Sequence, residues 1–342
     1  MLVAEQEQLL RDAHAVFLPA IDEMSIPSHI ADHLAAGGTS VLLGESREEY
    51  VARSMSPERR SRESAEWLIA MTSEIRRLAG GQALVAVDQE LGGIQRLHDL
   101  VTVLPSSVEA VAADAWSIRT AAVRLAEECS ELGVNVVLSP IVDVVTGPNP
   151  WLSARTISSD VNIVSRVAAA FVHGLQSSGR LAATAKHFPG HPHVALDPAA
   201  YETSVAEATH SELEPSLDVF RAVIDAGVRV VMIGPTLVPA FDPTRATSRS
   251  ATTVHFLRTA LGFGGVILSD DLDAPGTLRG SSLEDAAIEA LVAGVDWLLV
   301  PGTQELSGLV EAVAQSVTME HLSSARLREA ARAVRTLAGD IG

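Results

Sequence analysis

The chain is 342 residues long, 47% hydrophobic and only 4% aromatic, with 43 acidic against 25 basic residues and a net charge of −18. That apolar fraction builds a sizeable core and excludes wholesale disorder, and an acidic chain without a long Lys/Arg cluster offers no track for a phosphate backbone. Cys129 is the single cysteine, which excludes intrachain disulfides and thiolate metal clusters.

The first residues, MLVAEQEQLLRDAHAVFLPA, carry acids early and lack a basic region followed by an apolar core. That pattern predicts no signal peptide. No apolar run approaches the roughly 20 residues of a membrane span. The expectation is a cytoplasmic protein acting on a small molecule, with neither nucleic acid nor membrane as partner and no cofactor.

Short, β-branched apolar runs recur along the chain at 15–19, 40–44, 83–87, 135–139, 182–186, 229–233, 265–269 and 296–300. Continuous apolar runs without alternation predict strands buried on both faces, as in a parallel sheet. Helical spacing fills the intervals, for example over 64–79 and 282–294. In the second of these Ser282 caps, Asp285 stands three residues on, and Gly294 closes the helix. Eight β–α alternations without a linker predict an α/β protein, a single-domain (β/α)₈ TIM barrel over 1–342. A doubly wound sheet is the alternative, but the glycine-rich phosphate loop expected after its first strand is absent.

Polar residues gather just behind the strand ends: Asp88, Gln89 and Glu90 after the third, Asp143 after the fourth, Lys186 and His187 at the fifth, and Ser269-Asp270-Asp271 at the seventh. In a barrel these positions share the C-terminal rim, where active sites lie. Consecutive acids in GVILSDDLDAPG predict one carboxylate in the mouth and one turned away. Asp270 is then a nucleophile and Asp271 a cap or orienting group, or both are caps of the next helix. Asp143 and Arg155 flank a long Pro/Asn/Gly loop that fits binding, or else a surface crossing with a structural salt bridge. The stretch ATAKHFPGHPHVALDPAAYET (183–203) has three readings. His187, His191 and His193 could converge on a metal, brace a proline-stiffened turn, or, with Lys186, grip a substrate hydroxyl.

Several motifs together resemble family 3 glycoside hydrolases, in particular the bacterial β-N-acetylhexosaminidase branch. They are DQELGGIQRL (88–97), SPIVDV with ARTIS (139–158), KHFPGHPHVALDPA (186–199), DPTRATSRS (242–250), SDDL (269–272) and AGVDWLLVPG (293–302). The resemblance implies retaining, two-step hydrolysis of a sugar or glycoconjugate with Asp270 as nucleophile. It also implies that Asp88, Arg155, Lys186 and His187 hold sugar hydroxyls, with Arg96 and Asp143 on the same substrate side.

The chain departs from that pattern where the branch carries its Asp-Ser-His acid/base triplet. Asp197 matches the aspartate, but Ala199 stands in place of the histidine. Gly93 replaces an arginine, Leu91 a glycine, and Pro235 a histidine. One expectation is a relocated acid/base built from His193 and Asp197. The others are an enzyme of a biosynthetic pathway using an activated sugar conjugate, and a sugar-binding protein without turnover.

Overall fold

The computed structural model describes residues 2–342. All eight predicted strands form: β1 Phe17–Ile21, β2 Ser40–Leu43, β3 Leu84–Val87, β4 Val136–Val137, β5 Ala182–Phe188, β6 Val230–Ile233, β7 Val266–Ser269 and β8 Leu298–Pro301. Every pairing is parallel, in the order β7-β6-β5-β4-β3-β2-β1-β8. A bridge from Leu268 to Trp297, with Ser269 N–H donating to Trp297 O at 2.9 Å, joins β7 to the eighth position. The sheet therefore closes on itself as a (β/α)₈ barrel. The helix predicted over 282–294 spans Leu283–Ala293, with Ser282 accepting from the Asp285 amide and Gly294 in the left-handed region.

Side chains sort by strand parity. Leu84 and Ala86 of β3 point into the barrel, in one cluster with Leu18, Leu42, Val136, Met232, Leu268 and Trp297. Val85 and Val87 point outward under the helices. Burial on both faces is what made these strands read as unbroken apolar runs. The last helix, Ser324–Ile341, contributes Val334, Leu337, Ala338 and Ile341 to the interior cluster. The opposite, C-terminal rim is left for polar groups. Among the described residues no helix is long and apolar enough to cross a membrane.

Candidate active site

A cavity of about 370 Å³ opens at the C-terminal rim, a volume in the range of small-ligand sites. Its apolar lining includes Leu42, Leu138, Met232 and Leu299, which belong to β2, β6 and β8 or directly follow β4. Its polar groups include Asp88 behind β3, Lys186 and His187 on β5, and Asp270 behind β7, with Glu45 behind β2 and Arg155 behind β4. The sheet register shifts between Lys186 and Phe188. Such an irregularity re-aims side chains, and both Lys186 and His187 reach the cavity wall.

Lys186 Nζ donates to Asp88 Oδ1 at 2.5 Å and lies 2.8 Å from Glu90 Oε1. Arg155 grips the same Glu90 with two bonds, Nη2 to Oε1 at 2.6 Å and Nε to Oε2 at 3.1 Å. Burial alone would raise the Glu90 carboxyl, yet the adjoining Arg155 and Lys186 cations hold it well below the usual carboxylate range. Burial likewise works against the Lys186 ammonium, and Asp88 and Glu90 overcome it, keeping the amine charged above its ordinary value. The result is a rigid bed of donors and acceptors suited to hydroxyl groups.

Asp143 lies beneath this layer, fully buried. It accepts from His187 N–H and His187 Nδ1, both at 2.9 Å, through Oδ2, and from His191 Nδ1 at 3.0 Å through Oδ1. Burial favours its neutral form, but the two histidines hold it below the carboxylate range. An ionised carboxylate only accepts, so each histidine carries its proton on Nδ1. Burial lowers the pKa of His187 in spite of Asp143. Neutral His187 thus presents a bare Nε2, 3.7 Å from Asp270 Oδ2 and able to accept from a sugar hydroxyl. Trp151 packs on the same imidazole at 4.5 Å between ring centres.

Asp270 is positioned by its backbone, with its N–H donating to Ile233 O at 2.9 Å. Its Oδ1 accepts from the Asp271 amide at 2.7 Å, while its Oδ2 is buried without a hydrogen-bond partner. Asp270 lines the cavity, and a carboxylate oxygen left without a partner in such a wall is a candidate to meet a ligand atom. Neither acid caps the next helix, Pro275–Leu278, whose cap position is Ala274 with no side-chain bond. The reading of both acids as caps therefore fails, and so does the expectation that one turns away, since Asp271 lines the cavity along with Asp270.

The structure separates the remaining candidates. Arg96 is not in the cavity wall. Its guanidinium pairs with Glu63 through two bonds of 2.8 Å, and its Nε donates to Gly44 O at 2.6 Å. It braces the end of β2 rather than contacting a ligand. Asp143 positions His187 and His191 from below, and the Asp143–Arg155 salt bridge does not form. His193 and Asp197 also lie outside the wall. His193 rests against Gly147, and Asp197 Oδ1 accepts from the Ala199 amide at 2.9 Å. No hydrogen bond joins the two among the described residues. The three histidines do not converge on a metal either, since two are bound to Asp143 and the third points elsewhere.

The segment carrying Asp197 is tied down on both flanks. Thr146 N–H donates to Pro192 O at 2.9 Å, Val194 N–H to Pro148 O at 2.9 Å, and Gly276 N–H to Pro198 O at 2.9 Å. These bonds place Pro198 and Ala199 in the wall, together with Pro235, Ala274 and Pro275. Local sequence gave no sign of three other lining groups, Glu45, Tyr50 and Trp151. Glu90 was visible within DQE, but nothing local distinguished it from its neighbours.

Gly93 now has a physical reason. A Cβ there would stand 2.0 Å from Glu90 Oε2 and 3.1 Å from Glu90 Cβ. Any side chain at 93 therefore displaces the carboxylate that Arg155 and Lys186 share. Gly93→Ala is expected to cost about 1–3 kcal/mol in a denaturant melt and to lower kcat/KM. An unchanged melt would show that Glu90 relaxes freely.

A closed (β/α)₈ barrel whose mouth sets an unpartnered carboxylate among hydroxyl-binding groups has the architecture of a barrel glycosidase. The comparisons agree. Residues 49–337 match the family described as glycosyl hydrolase family 3 N terminal domain, and the chain belongs to that family. It is 32% identical over 249 residues to a β-hexosaminidase of Nitrosomonas eutropha, covering 70% of this chain and 71% of that protein. With a β-hexosaminidase of Chromobacterium violaceum it shares 33% over 255 residues, covering 71% and 70%. The crystal structure of a β-N-acetylhexosaminidase from Beutenbergia cavernae matches with a TM-score of 0.84 at 26% identity, covering 97% of this chain and 98% of that one. A β-N-acetylglucosaminidase from a Paenibacillus species shares the fold, with a TM-score of 0.86 at 24% identity; there this chain spans 62% of the other's length. The protein is thus a family 3 glycosidase, β-hexosaminidase-like in sequence.

Proposed function

We propose that the protein cleaves β-linked N-acetylhexosaminides, or related sugar conjugates, by a retaining mechanism with Asp270 as nucleophile. The observation that carries this reading is Asp270 in the cavity wall with a carboxylate oxygen, Oδ2, that has no hydrogen-bond partner in the protein. Asp88, Arg155, Lys186 and His187 hold the sugar hydroxyls, and Asp270 attacks the anomeric carbon to form a glycosyl–enzyme intermediate. Water or another acceptor then displaces the carboxylate. Asp143 is a positioning residue, acting through His187.

The wall carries no histidine on the loop that holds Ala199, and His193 and Asp197 are outside it. The carboxylates nearest in sequence to the nucleophile, Asp271 and Asp273, follow it on its own loop. General acid assistance is worth about 10²–10⁴-fold for a poor leaving group and little for a good one. The substrates that suit this wall carry a leaving group that departs without a proton, as an activated conjugate of a biosynthetic step does.

The test is a series of aryl N-acetyl-β-glucosaminides of graded phenol acidity, with a disaccharide for comparison. The expected result is a steep dependence of kcat/KM on leaving-group pKa, near-absent disaccharide cleavage, and azide trapping of the intermediate as the β-glycosyl azide. A flat dependence with efficient disaccharide cleavage would overturn the missing-acid reading and point to one of the wall carboxyls Glu45, Asp271 and Asp273 as the proton donor. Sugar binding without turnover of any glycoside would overturn the enzyme reading.

A further inference from the structure

Glu45 stands in the cavity wall without a role in the chemistry above. It follows β2 through Gly44, whose backbone is fixed from both sides. Gly44 N–H donates to Ile21 O at 2.8 Å, and Gly44 O accepts from Arg96 Nε at 2.6 Å. Arg96 is in turn locked on Glu63, so the mouth end of β2 is rigid. The Glu45 side chain is half-buried, and its Oε2 has no hydrogen-bond partner in the protein.

Several charged and titratable groups face Glu45. Asp88, Glu90 and Arg96 come from the segment behind β3, Lys186 from β5 and Asp271 from behind β7. Arg47 and Tyr50, from the helix Arg47–Ala52, line the same cavity. Burial, reinforced by Asp88 and Glu90, pushes the Glu45 carboxyl up to about 8, against the pull of Arg96 and Lys186. At neutral pH Glu45 therefore holds its proton and donates, whereas Asp88, ion-paired to Lys186, accepts. A sugar hydroxyl is both donor and acceptor, so it satisfies the two groups together. An amine would leave the Glu45 proton unmatched, and a carboxylate would be repelled by Asp88.

We infer that Glu45 is a specificity-determining residue that donates a hydrogen bond to a substrate hydroxyl, which in turn donates to Asp88. This rests on the reading of the cavity as a sugar site. The hydroxyl is identified with deoxy and deoxyfluoro substrates. Fluorine accepts weakly but cannot donate, so both analogues of the hydroxyl concerned lose affinity.

The experiment measures calorimetric binding of methyl N-acetyl-β-glucosaminide to the Asp270→Asn protein, which keeps the ligand intact. Adding Glu45→Ala is expected to weaken binding about 10-fold or more, the cost of an unmatched buried partner. Adding Glu45→Gln, whose amide also donates, is expected to stay within about threefold of the parent. Affinity of the parent should hold below pH 8 and fall as pH rises through it, because only the neutral acid donates. The Gln variant should lack that fall. In the active enzyme the same substitution to Ala raises KM more than it lowers kcat.

Stability supplies a readout independent of sugar. The folded pKa is raised above the unfolded one, so the contribution of Glu45 is full below the unfolded value and is lost as pH rises toward about 8. Melting temperature should therefore drop less from pH 5 to 8 in Glu45→Gln than in the wild type. Parent-like affinity in Glu45→Ala, or equal losses in Ala and Gln with identical pH profiles, would overturn the inference. If no sugar binds the Asp270→Asn parent, the sugar-site reading itself falls, a result the melts distinguish from misfolding.

Discussion

Replacing Asp270 with Asn is expected to lower kcat on 4-nitrophenyl N-acetyl-β-glucosaminide by about 10⁴-fold or more, with the protein still folded. The reasoning starts from the two carboxylate oxygens. Oδ1 accepts the Asp271 amide at 2.7 Å, and the carbonyl oxygen of Asn accepts it equally well. Oδ2 is buried with no partner, so an amide there forfeits no protein contact and removes a poorly solvated charge. Stability should hold or rise while the nucleophile is lost. The check is steady-state kinetics beside a thermal melt, with mass spectrometry of the protein after a 2-fluoro sugar inactivator. Wild type should gain one glycosyl mass on the peptide holding Asp270, and the Asn variant none. Undiminished turnover in Asp270→Asn would remove the nucleophile assignment.

The second large effect belongs to Glu90. Its carboxylate joins Arg155 and Lys186, all three buried. Glu90→Gln leaves Lys186 paired with Asp88 alone and Arg155 without a carboxylate partner. Breaking a buried pair by removing one partner costs about 3–5 kcal/mol, so Glu90→Gln should lose about that much in a urea melt at pH 7. The pH dependence has a definite sign. The folded pKa of Glu90 lies below its ordinary value, so its stabilisation is present above the unfolded value and fades as pH falls below about 4.3. The gap between wild type and Glu90→Gln should therefore narrow on acidification. A gap that stays constant down to pH 3 would mean that Glu90 contributes by shape rather than charge. Because Arg155 and Lys186 line the cavity and are the proposed hydroxyl-binding groups, the variant should raise KM even where it remains folded.

Much of this protein was open to a reading of its chain. All eight strands were legible as short apolar runs, because a strand inside a barrel is covered on both faces and needs no polar alternation. The cap at Ser282 and the stop at Gly294 were legible too, since both depend on backbone groups within a few residues. Asp88, Lys186, His187 and Asp270 were found because each directly ends a strand, and every strand of a parallel barrel ends at the same rim.

Partner choice over long separations was not legible. Arg96 stands eight residues from Asp88, yet it turns to Glu63, 33 positions earlier in the chain. Arg155 meets Glu90 across 65 positions, where the surface-crossing reading of its loop offers Asp143 as the partner. His193 and Asp197 are four residues apart, but no hydrogen bond joins them among the described residues and neither lines the cavity, while Pro192, Val194 and Pro198 are bonded to neighbouring loops. Glu45 gave no sign at all, because its environment is made by groups from β3, β5 and β7. The sequence by itself determined the barrel and placed Asp88, Lys186, His187 and Asp270 at its rim, which follows from local burial and strand direction. Which carboxylates are paired, which keep a proton and which face the cavity was decided by tertiary structure alone, since electrostatic partners are set by distance in space.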